Sequence, residues 1–260
     1  MTEALTRIGI FDSGVGGLTV LKELRQSLPQ VDFVYLGDTA RVPYGIRSAE
    51  TVCEYSLQNA QFLLDQGAQA IIVACNTASA YALELLQFKL DVPVLGVVEP
   101  GAMAAQAASS NGKVAVIATE ATVRSEIYLK FLKGLDKNLQ VKQKATPLFV
   151  PLVEEGRLEP EVLKPIFDIY FKDFEGFDFD TLILGCTHYP VLREAIQQHL
   201  GSGVTLVDSA SALKSQLASQ NLGNGQGRLE LFVTDLTQRV EGVAQRVLGS
   251  FDQPLNKVHL

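Results

Sequence analysis

Residues 71–77 are Ile-Ile-Val-Ala-Cys-Asn-Thr, and residues 182–188 are Leu-Ile-Leu-Gly-Cys-Thr-His. In each stretch a short apolar run is followed by a small residue, a cysteine and hydrogen-bonding side chains. Continuous apolar runs of this length predict buried strands of a parallel sheet. The match between the two stretches predicts a chain of two related halves, each with one cysteine where a strand passes into a helix.

Apolar strands alternate with helical patterns along the whole chain, which is typical of an α/β protein. We predict strands at 8–11, 33–37, 70–74, 93–98, 114–118, 146–150, 181–185, 204–207 and 229–233. A single helix is expected over about 121–135, and Glu99-Pro100-Gly101 predicts a break before an alanine-rich helix. The pattern therefore predicts two similar three-layer α/β domains with mainly parallel sheets, related by a pseudo-duplication.

The division into domains follows the duplication, with the last part of the chain assigned to the first half. We expect a first domain of residues 1–98 plus 209–260, which carries Cys75, and a second domain of residues 99–208, which carries Cys186. Ligands of parallel α/β sheets bind beyond the carboxyl ends of the strands. Both cysteines lie at such ends, so the candidate active site is the cleft between the domains.

Composition limits the possible functions. The chain has 260 residues, of which 47% are hydrophobic and 20% charged, and its formal net charge is -7. An acidic chain of this kind is not expected to bind nucleic acid, which requires a basic surface. No apolar run approaches the length of a membrane span, and the first residues do not resemble a secretion signal. With three cysteines and no Cys-x-x-Cys motif, we expect a cytoplasmic protein with no metal site and no membrane association.

Paired thiols suit one chemistry well. Two thiols on opposite sides of a carbon can remove a proton from one face and return a proton to the other. A helix N-terminus, which follows both Cys75 and Cys186, favours the ionised form that such a base needs. The alternative is that each is a small buried apolar residue, as free cysteines often are. Cys53, in the middle of a predicted helix without polar neighbours, is expected to be structural.

Polar residues at other strand ends complete the candidate site. Asp12 and Ser13 open a glycine-rich turn whose N–H groups can bind an anion, although a simple helix cap is an alternative role for Asp12. Tyr44 and Gly45 lie in a long loop that offers backbone N–H groups. The remaining candidates are neutral donors or a proton-exchanging histidine beside the strand ends, and they are Asn76, Thr77, Thr119, Thr187 and His188.

Taken together, these motifs resemble the cofactor-independent glutamate racemases of the aspartate/glutamate racemase group. The resemblance covers nearly the whole chain. It is carried by the stretches 11–17, 35–38, 43–45, 74–78, 98–101, 118–119 with Thr122, and 184–190. No lysine lies in these motifs, so a Schiff base with a cofactor has no evident anchor.

The resemblance implies a racemase that interconverts L- and D-glutamate and supplies D-glutamate for peptidoglycan. It implies that Cys75 acts on the D-enantiomer with help from Asp12, and that Cys186 acts on the L-enantiomer with help from His188. Glu154 would be a second supporting carboxylate. Substrate would be held by Asp12, Ser13, Tyr44, Gly45, Asn76, Thr77, Thr119, Thr187 and His188. The resemblance also implies a homodimer, with no cofactor and no metal.

Other functions remain open from the residues alone. The same fold could racemise aspartate or a hydantoin, since side-chain length depends on the pocket around Thr119, Thr122 and Glu154. A two-domain binding protein without catalysis, or a hydrolase with one catalytic thiol, are further alternatives. Facing thiols predict one shared cavity and two sulphurs roughly 7 Å apart, which is too far for a disulfide.

Overall fold

The computed structural model describes residues 5–217, 222–249 and 253–260. The strands are Arg7–Asp12 (β1), Asp32–Gly37 (β2), Ala70–Val73 (β3), Val94–Gly96 (β4), Lys113–Ala118 (β5), Gln140–Ala145 (β6), Thr181–Gly185 (β7), Thr205–Asp208 (β8), Leu229–Val233 (β9) and Leu255–Lys257 (β10). The α-helices are Leu18–Ser27 (α1), Ala49–Asp65 (α2), Asn76–Lys89 (α3), Val98–Ala108 (α4), Glu120–Ser125 (α5), Ile127–Leu135 (α6), Phe149–Glu155 (α7), Pro160–Phe171 (α8), Arg193–Leu200 (α9), Ser209–Leu217 (α10) and Gln238–Leu248 (α11). Short 3₁₀ turns occupy Tyr44–Ile46, Lys172–Phe174 and Tyr189–Leu192. The first four residues, on which part of the secretion-signal prediction depends, lie outside the described residues.

The strands form two sheets: the first takes its strands from the beginning and the end of the chain, and the second takes them from the middle. The first has the order β10-β9-β2-β1-β3-β4, and the second has the order β6-β5-β7-β8. All strand pairings within these two sheets are parallel. The predicted α/β fold class with two mainly parallel sheets is therefore confirmed.

Both faces of each sheet are covered by helices. In β1, Ile8 and Ile10 face a core that includes residues of α1, α10 and α11, whereas Phe11 faces a core built with α2 and α3. In β5, Ile117 faces a core shared with α7, α8 and α9, and Val116 faces one shared with α4 and α6. Alternate residues of each strand thus bury opposite faces, which explains why the strands are continuously apolar.

The end of the chain returns to the first sheet. Strand β9 pairs in parallel with β2, so that Leu231 lies opposite Tyr35. Helix α10 buries Leu213 in the core beneath the same sheet. These contacts agree with a first domain made of two separate segments, although the division of the chain into domains remains a prediction.

One predicted strand is wrong. The sequence predicts a strand at 146–150, but the strand is β6 at Gln140–Ala145, and the apolar residues beyond it form helix α7. Strand β6 is the edge of its sheet, and its side chains are only half-buried or exposed. An edge strand tolerates a polar sequence such as this one, while Phe149 and Val153 are buried on one side of α7.

Two helix boundaries also differ from the prediction. Glu99-Pro100-Gly101 does not break the chain, because all three residues lie in the first turn of α4, where proline is tolerated. The single helix expected over about 121–135 is divided into α5 and α6. The division occurs at Glu126, whose left-handed backbone (φ of 57°) cannot continue a helix.

Candidate active site

The carboxyl ends of four strands bring the predicted residues together. Strand β1 ends at Asp12, β3 leads to Cys75, β5 leads to Thr119, and β7 leads to Cys186. Cys75 is the residue that caps α3, and its sulphur accepts a hydrogen bond from the N–H of Ala78 at 3.5 Å. This position places the thiol where helix N–H groups favour negative charge.

Both thiols line one small cavity between the two halves of the chain. Its volume is about 20 Å³, close to the space that one water molecule requires. It is lined by Ser13, Val42, Pro43, Tyr44, Gly45, Cys75, Asn76, Thr77, Thr119, Val150, Cys186, Thr187 and His188. The structure therefore places every predicted site residue on this cavity except Asp12 and Glu154, neither of which lines it. Both cysteines are free thiols.

The Cys75 side of the cavity combines a buried thiol with a buried carboxyl group. Cys75 is 6% exposed, and its sulphur lies 3.6 Å from the hydroxyl of Ser13. Burial raises the pKa of the Cys75 thiol to about 12, and the nearby charge of Asp12 acts in the same direction. At neutral pH the Cys75 thiol therefore carries its proton.

Asp12 connects the two sides of the cavity. Its carboxyl group is fully buried and accepts hydrogen bonds from the N–H of Gly14 at 3.0 Å and from the hydroxyl of Thr187 at 3.3 Å. Burial raises the pKa of Asp12, although the charge of His188 and these hydrogen bonds oppose the rise. Because its pKa is shifted toward that of a thiol, this carboxyl group is suited to exchange protons with a neighbouring thiol.

The Cys186 side carries a histidine with a supporting carboxylate. Nδ1 of His188 lies 3.9 Å from the sulphur of Cys186, and Nε2 lies 3.4 Å from Oε1 of Glu154. The Nε2 contact is an ion-pair distance without hydrogen-bond geometry. Burial lowers the pKa of His188, but the contacts with Cys186 and Glu154 outweigh it and raise the pKa to about 10. The imidazolium that results places a positive charge beside the sulphur of Cys186.

Glu154 is held in turn by a cation. Its Oε2 accepts a hydrogen bond from Arg239 of α11 at 3.0 Å. Burial raises the pKa of Glu154, yet His188 and Arg239 outweigh this effect and the pKa is lowered overall. Glu154 therefore remains ionised beside the imidazolium.

Three threonine hydroxyls form a connected group, and two of these residues, Thr77 and Thr119, line the cavity. The hydroxyl of Thr119 lies 2.9 Å from those of both Thr77 and Thr122, which are 3.3 Å from each other. Gly45 packs tightly against Thr119, since a Cβ atom at Gly45 would lie 2.8 Å from Cβ of Thr119. The hydroxyl of Tyr44 donates a hydrogen bond to the buried carboxylate of Asp38 and is therefore already paired. Tyr44 thus offers its backbone to the cavity.

Sequence reasoning did not find several residues that support the site. Arg239, Tyr128 and Ser209 contact site residues but lie far from them in sequence, and none belongs to a recognisable motif. Val42 and Val150 line the cavity as ordinary apolar residues. Only three-dimensional contacts connect them to the site.

A larger cavity of about 780 Å³ lies elsewhere and includes neither thiol. Its charged lining residues include Lys22, Arg193 and Arg246. Size alone does not indicate the active site, because Cys75 and His188, whose pKa values are displaced, line the small cavity.

Within the described part of the chain, no three histidine, cysteine or acidic side chains are grouped closely enough to hold a metal ion. Over the same residues, no helix combines the length and apolar character that crossing a membrane requires. No lysine lines the thiol cavity among these residues. The absence of a cofactor remains a prediction.

Comparison with known proteins identifies the family. The family model for Asp/Glu/Hydantoin racemase matches residues 10–217. A glutamate racemase of Aquifex aeolicus is 51% identical over 95% of this chain and 96% of its own. One from Geobacter metallireducens is 48% identical over 93% and 92% of the two chains.

Solved structures agree with these relatives. A crystal structure of a glutamate racemase isoform from Bacillus anthracis has a TM-score of 0.92 at 36% identity, covering 100% of this chain and 99% of that one. The enzyme of Francisella tularensis in complex with D-glutamate has a TM-score of 0.90 at 35% identity, covering 97% of each chain. An aspartate racemase of Picrophilus torridus, at 18% identity and a TM-score of 0.59, shares the fold. The chain is therefore an amino-acid racemase and belongs to the glutamate racemases of the Asp/Glu/Hydantoin racemase family.

Proposed function

We propose that this protein interconverts L-glutamate and D-glutamate by proton transfer at the α-carbon between two thiols. One observation carries the proposal: Cys75 and Cys186, from opposite halves of the chain, line the same buried cavity. Neutral donors that suit two carboxylates surround them. The relatives named above bear the same activity in their names, and one of them was solved with D-glutamate bound.

The proposed reaction uses the thiols in opposite protonation states. In the L-to-D direction, the Cys186 thiolate removes the α-proton and leaves a carbanion at the α-carbon. The Cys75 thiol then donates its proton to the opposite face, which gives D-glutamate and a Cys75 thiolate. The raised pKa of Cys75 and the cationic His188 beside Cys186 support this starting state. In the reverse direction Cys75 acts on the D-enantiomer.

The surrounding groups would assist each thiol. Asp12 would exchange a proton with Cys75, while His188, supported by Glu154, would stabilise the Cys186 thiolate. The groups proposed to hold the substrate are Asp12, Ser13, the backbone of Tyr44 and Gly45, Asn76, Thr77, Thr119, Thr187 and His188. All of these residues except the half-buried Thr119 are buried, which supports this assignment, because hydrogen bonds to a charged substrate are strongest where water is excluded.

Substrate entry would require the two halves to separate. We propose that residues 1–98 with 209–260 move as one domain and residues 99–208 as the other. A cavity of about 20 Å³ is too small for glutamate, which supports an opening motion. Closure over the substrate would then exclude water from the carbanion.

The cellular role follows from the product. D-glutamate would enter peptidoglycan, and the family resemblance supports this role and a homodimer. A cytoplasmic location is supported by the chemistry, because both catalytic cysteines must remain reduced thiols.

Exchange of the α-proton with solvent deuterium tests the reaction. We expect the wild type to racemise glutamate and to introduce deuterium at the α-carbon, and to act on aspartate weakly or not at all. Cys75→Ala and Cys186→Ala should each abolish racemisation. Cys53→Ala is the matched control, since Cys53 lies in α2 and contacts the carbonyl oxygen of Tyr81 instead of the cavity.

Two results would contradict the proposal. Exchange with aspartate but not glutamate would refute the substrate. Full racemisation by Cys75→Ala or Cys186→Ala would refute the two-thiol mechanism.

A further inference from the structure

The side-chain amide of Asn76 is held by two hydroxyl groups from the other elements of the cleft. Its Nδ2 donates to the hydroxyl of Tyr128 at 2.7 Å and to that of Ser209 at 3.2 Å. The two hydroxyls lie 3.0 Å from each other. All three residues are at most 5% exposed. Asn76 begins α3, Tyr128 lies in α6, and Ser209 begins α10, so the contact joins three separate parts of the chain.

Counting protons favours the orientation in which the amide nitrogen faces the hydroxyls. The amide group and the two hydroxyls make three mutual contacts, and each contact needs one proton to be a hydrogen bond. With Nδ2 at this corner, two amide protons and one hydroxyl proton supply them. With the amide oxygen there instead, only two hydroxyl protons would be available for three contacts. Burial also raises the pKa of Tyr128, which keeps its hydroxyl neutral.

The opposite end of the amide then has no partner. Oδ1 of Asn76 is a buried oxygen without a hydrogen bond, and Asn76 lines the thiol cavity. A buried acceptor without a donor is unfavourable, so a ligand that brings a donor to this position is stabilised. Glutamate at neutral pH carries two carboxylates, which only accept hydrogen bonds, and one ammonium group, which only donates.

We propose that Tyr128 is a positioning residue that turns Oδ1 of Asn76 toward the substrate's ammonium group. This inference rests on the proposed function and adds a basis for choosing α-amino acids over dicarboxylates that lack nitrogen. One acceptor serves both enantiomers. Inversion moves the α-proton from one face of the α-carbon to the other, while the ammonium group stays near one position. Tyr128 itself does not touch the substrate.

The variant Tyr128→Phe tests the proposal in the whole enzyme. It removes one hydroxyl, so the Asn76 amide keeps only the Ser209 contact and can rotate. We expect kcat/KM for glutamate to fall about three- to tenfold, the effect of weakening one hydrogen bond. Inhibition by glutarate, which has both carboxylates but no ammonium group, should keep its Ki within about twofold, because the carboxylate contacts are unchanged.

Tyr81→Phe is the matched control. Tyr81 lies on α3 like Asn76 and donates a hydrogen bond to the carbonyl oxygen of Ala121 at 3.0 Å, outside the cavity lining. We expect its kcat/KM and its glutarate Ki to match the wild type. If Tyr128→Phe does not fold, Ser209→Ala removes the other hydroxyl and should change the same two quantities in the same way.

Two outcomes would overturn the inference. One is an unchanged kcat/KM in Tyr128→Phe or, where that variant does not fold, in Ser209→Ala. The other is a glutarate Ki that rises by the same factor as kcat/KM falls, which would mean that the hydroxyls support carboxylate binding or the general shape of the cleft. A wild type that does not racemise glutamate would instead refute the proposed function, so the two failures are distinguishable.

Discussion

Adding one methyl group at Gly16 should disable the site without disturbing the rest of the protein. A Cβ atom at this position would lie 2.4 Å from the hydroxyl oxygen of Thr187 and 2.5 Å from Nδ1 of His188. Ordinary contacts begin near 3.4 Å, so the imidazole must retreat by about 1 Å. Both groups are buried and have little free space in which to move.

The expected loss follows from that displacement. Nδ1 already lies 3.9 Å from the sulphur of Cys186, so displacing the imidazole disturbs a contact that is already long. A displacement of about 1 Å in a catalytic group can lower the rate about a hundredfold. We therefore expect kcat of Gly16→Ala to fall by about that factor, measured by circular dichroism of the two glutamate enantiomers.

Gly134→Ala is the matched control for this experiment. Gly134 lies in α6, and a Cβ atom there would meet nothing within 4 Å. The alanine should leave kcat unchanged and stabilise the helix by up to about 1 kcal/mol. A folded Gly16→Ala enzyme with kcat within about twofold of the wild type would refute the reasoning, since it would mean that the site accommodates the methyl group without moving His188.

Three further predictions concern charge and capping. Glu154→Gln removes the charge that supports the His188 imidazolium, and we expect kcat/KM to fall about ten- to a hundredfold. The fall must be equal for both enantiomers because their free energies are equal. An unchanged kcat/KM in a steady-state assay would contradict the role of Glu154. Since the folded-state pKa of His188 is about 10 and its ordinary value is 6.5, its charge stabilises the fold fully below pH 6.5, and this contribution is lost as the pH rises toward 10. Urea unfolding should therefore show the wild type losing stability over this range relative to His188→Asn, and parallel pH profiles would refute the assignment. Ser48 caps α2 by accepting a hydrogen bond from the N–H of Thr51, so Ser48→Ala should lower the free energy of unfolding by about 1 kcal/mol with kcat unchanged. An unchanged unfolding midpoint would contradict this role.

The sequence predicts those parts of the fold whose local pattern and burial agree. Continuously apolar strands such as β3 and β7 are buried on both faces, so their periodicity predicts them directly. Strand β6 escaped prediction because it is a polar edge strand whose pairing with β5 depends on distant residues. The break at Glu126 escaped because a left-handed residue of this type carries no reliable local signal.

The residues of the candidate site likewise divide into those that the sequence predicts and those that it does not. Cys75 and Cys186 follow apolar strands in matching contexts, so their convergence at strand ends could be expected from the sequence. Tyr128 and Ser209 reach Asn76 only through the packing of α6 and α10 near α3. Arg239 reaches Glu154 across 85 positions of sequence. Contacts of this kind depend on tertiary structure, which no local motif encodes.

The small volume of the thiol cavity has a kinetic consequence. A form whose cavity has room for about one water cannot admit glutamate, so association must proceed through the fraction of molecules that are open. The apparent affinity and the association rate therefore both fall in proportion to the open fraction. The closure proposed above would also slow escape, so an inhibitor that allows the cleft to close around it would gain a long residence time. Substitutions that favour the open form should therefore speed both the arrival and the departure of such an inhibitor.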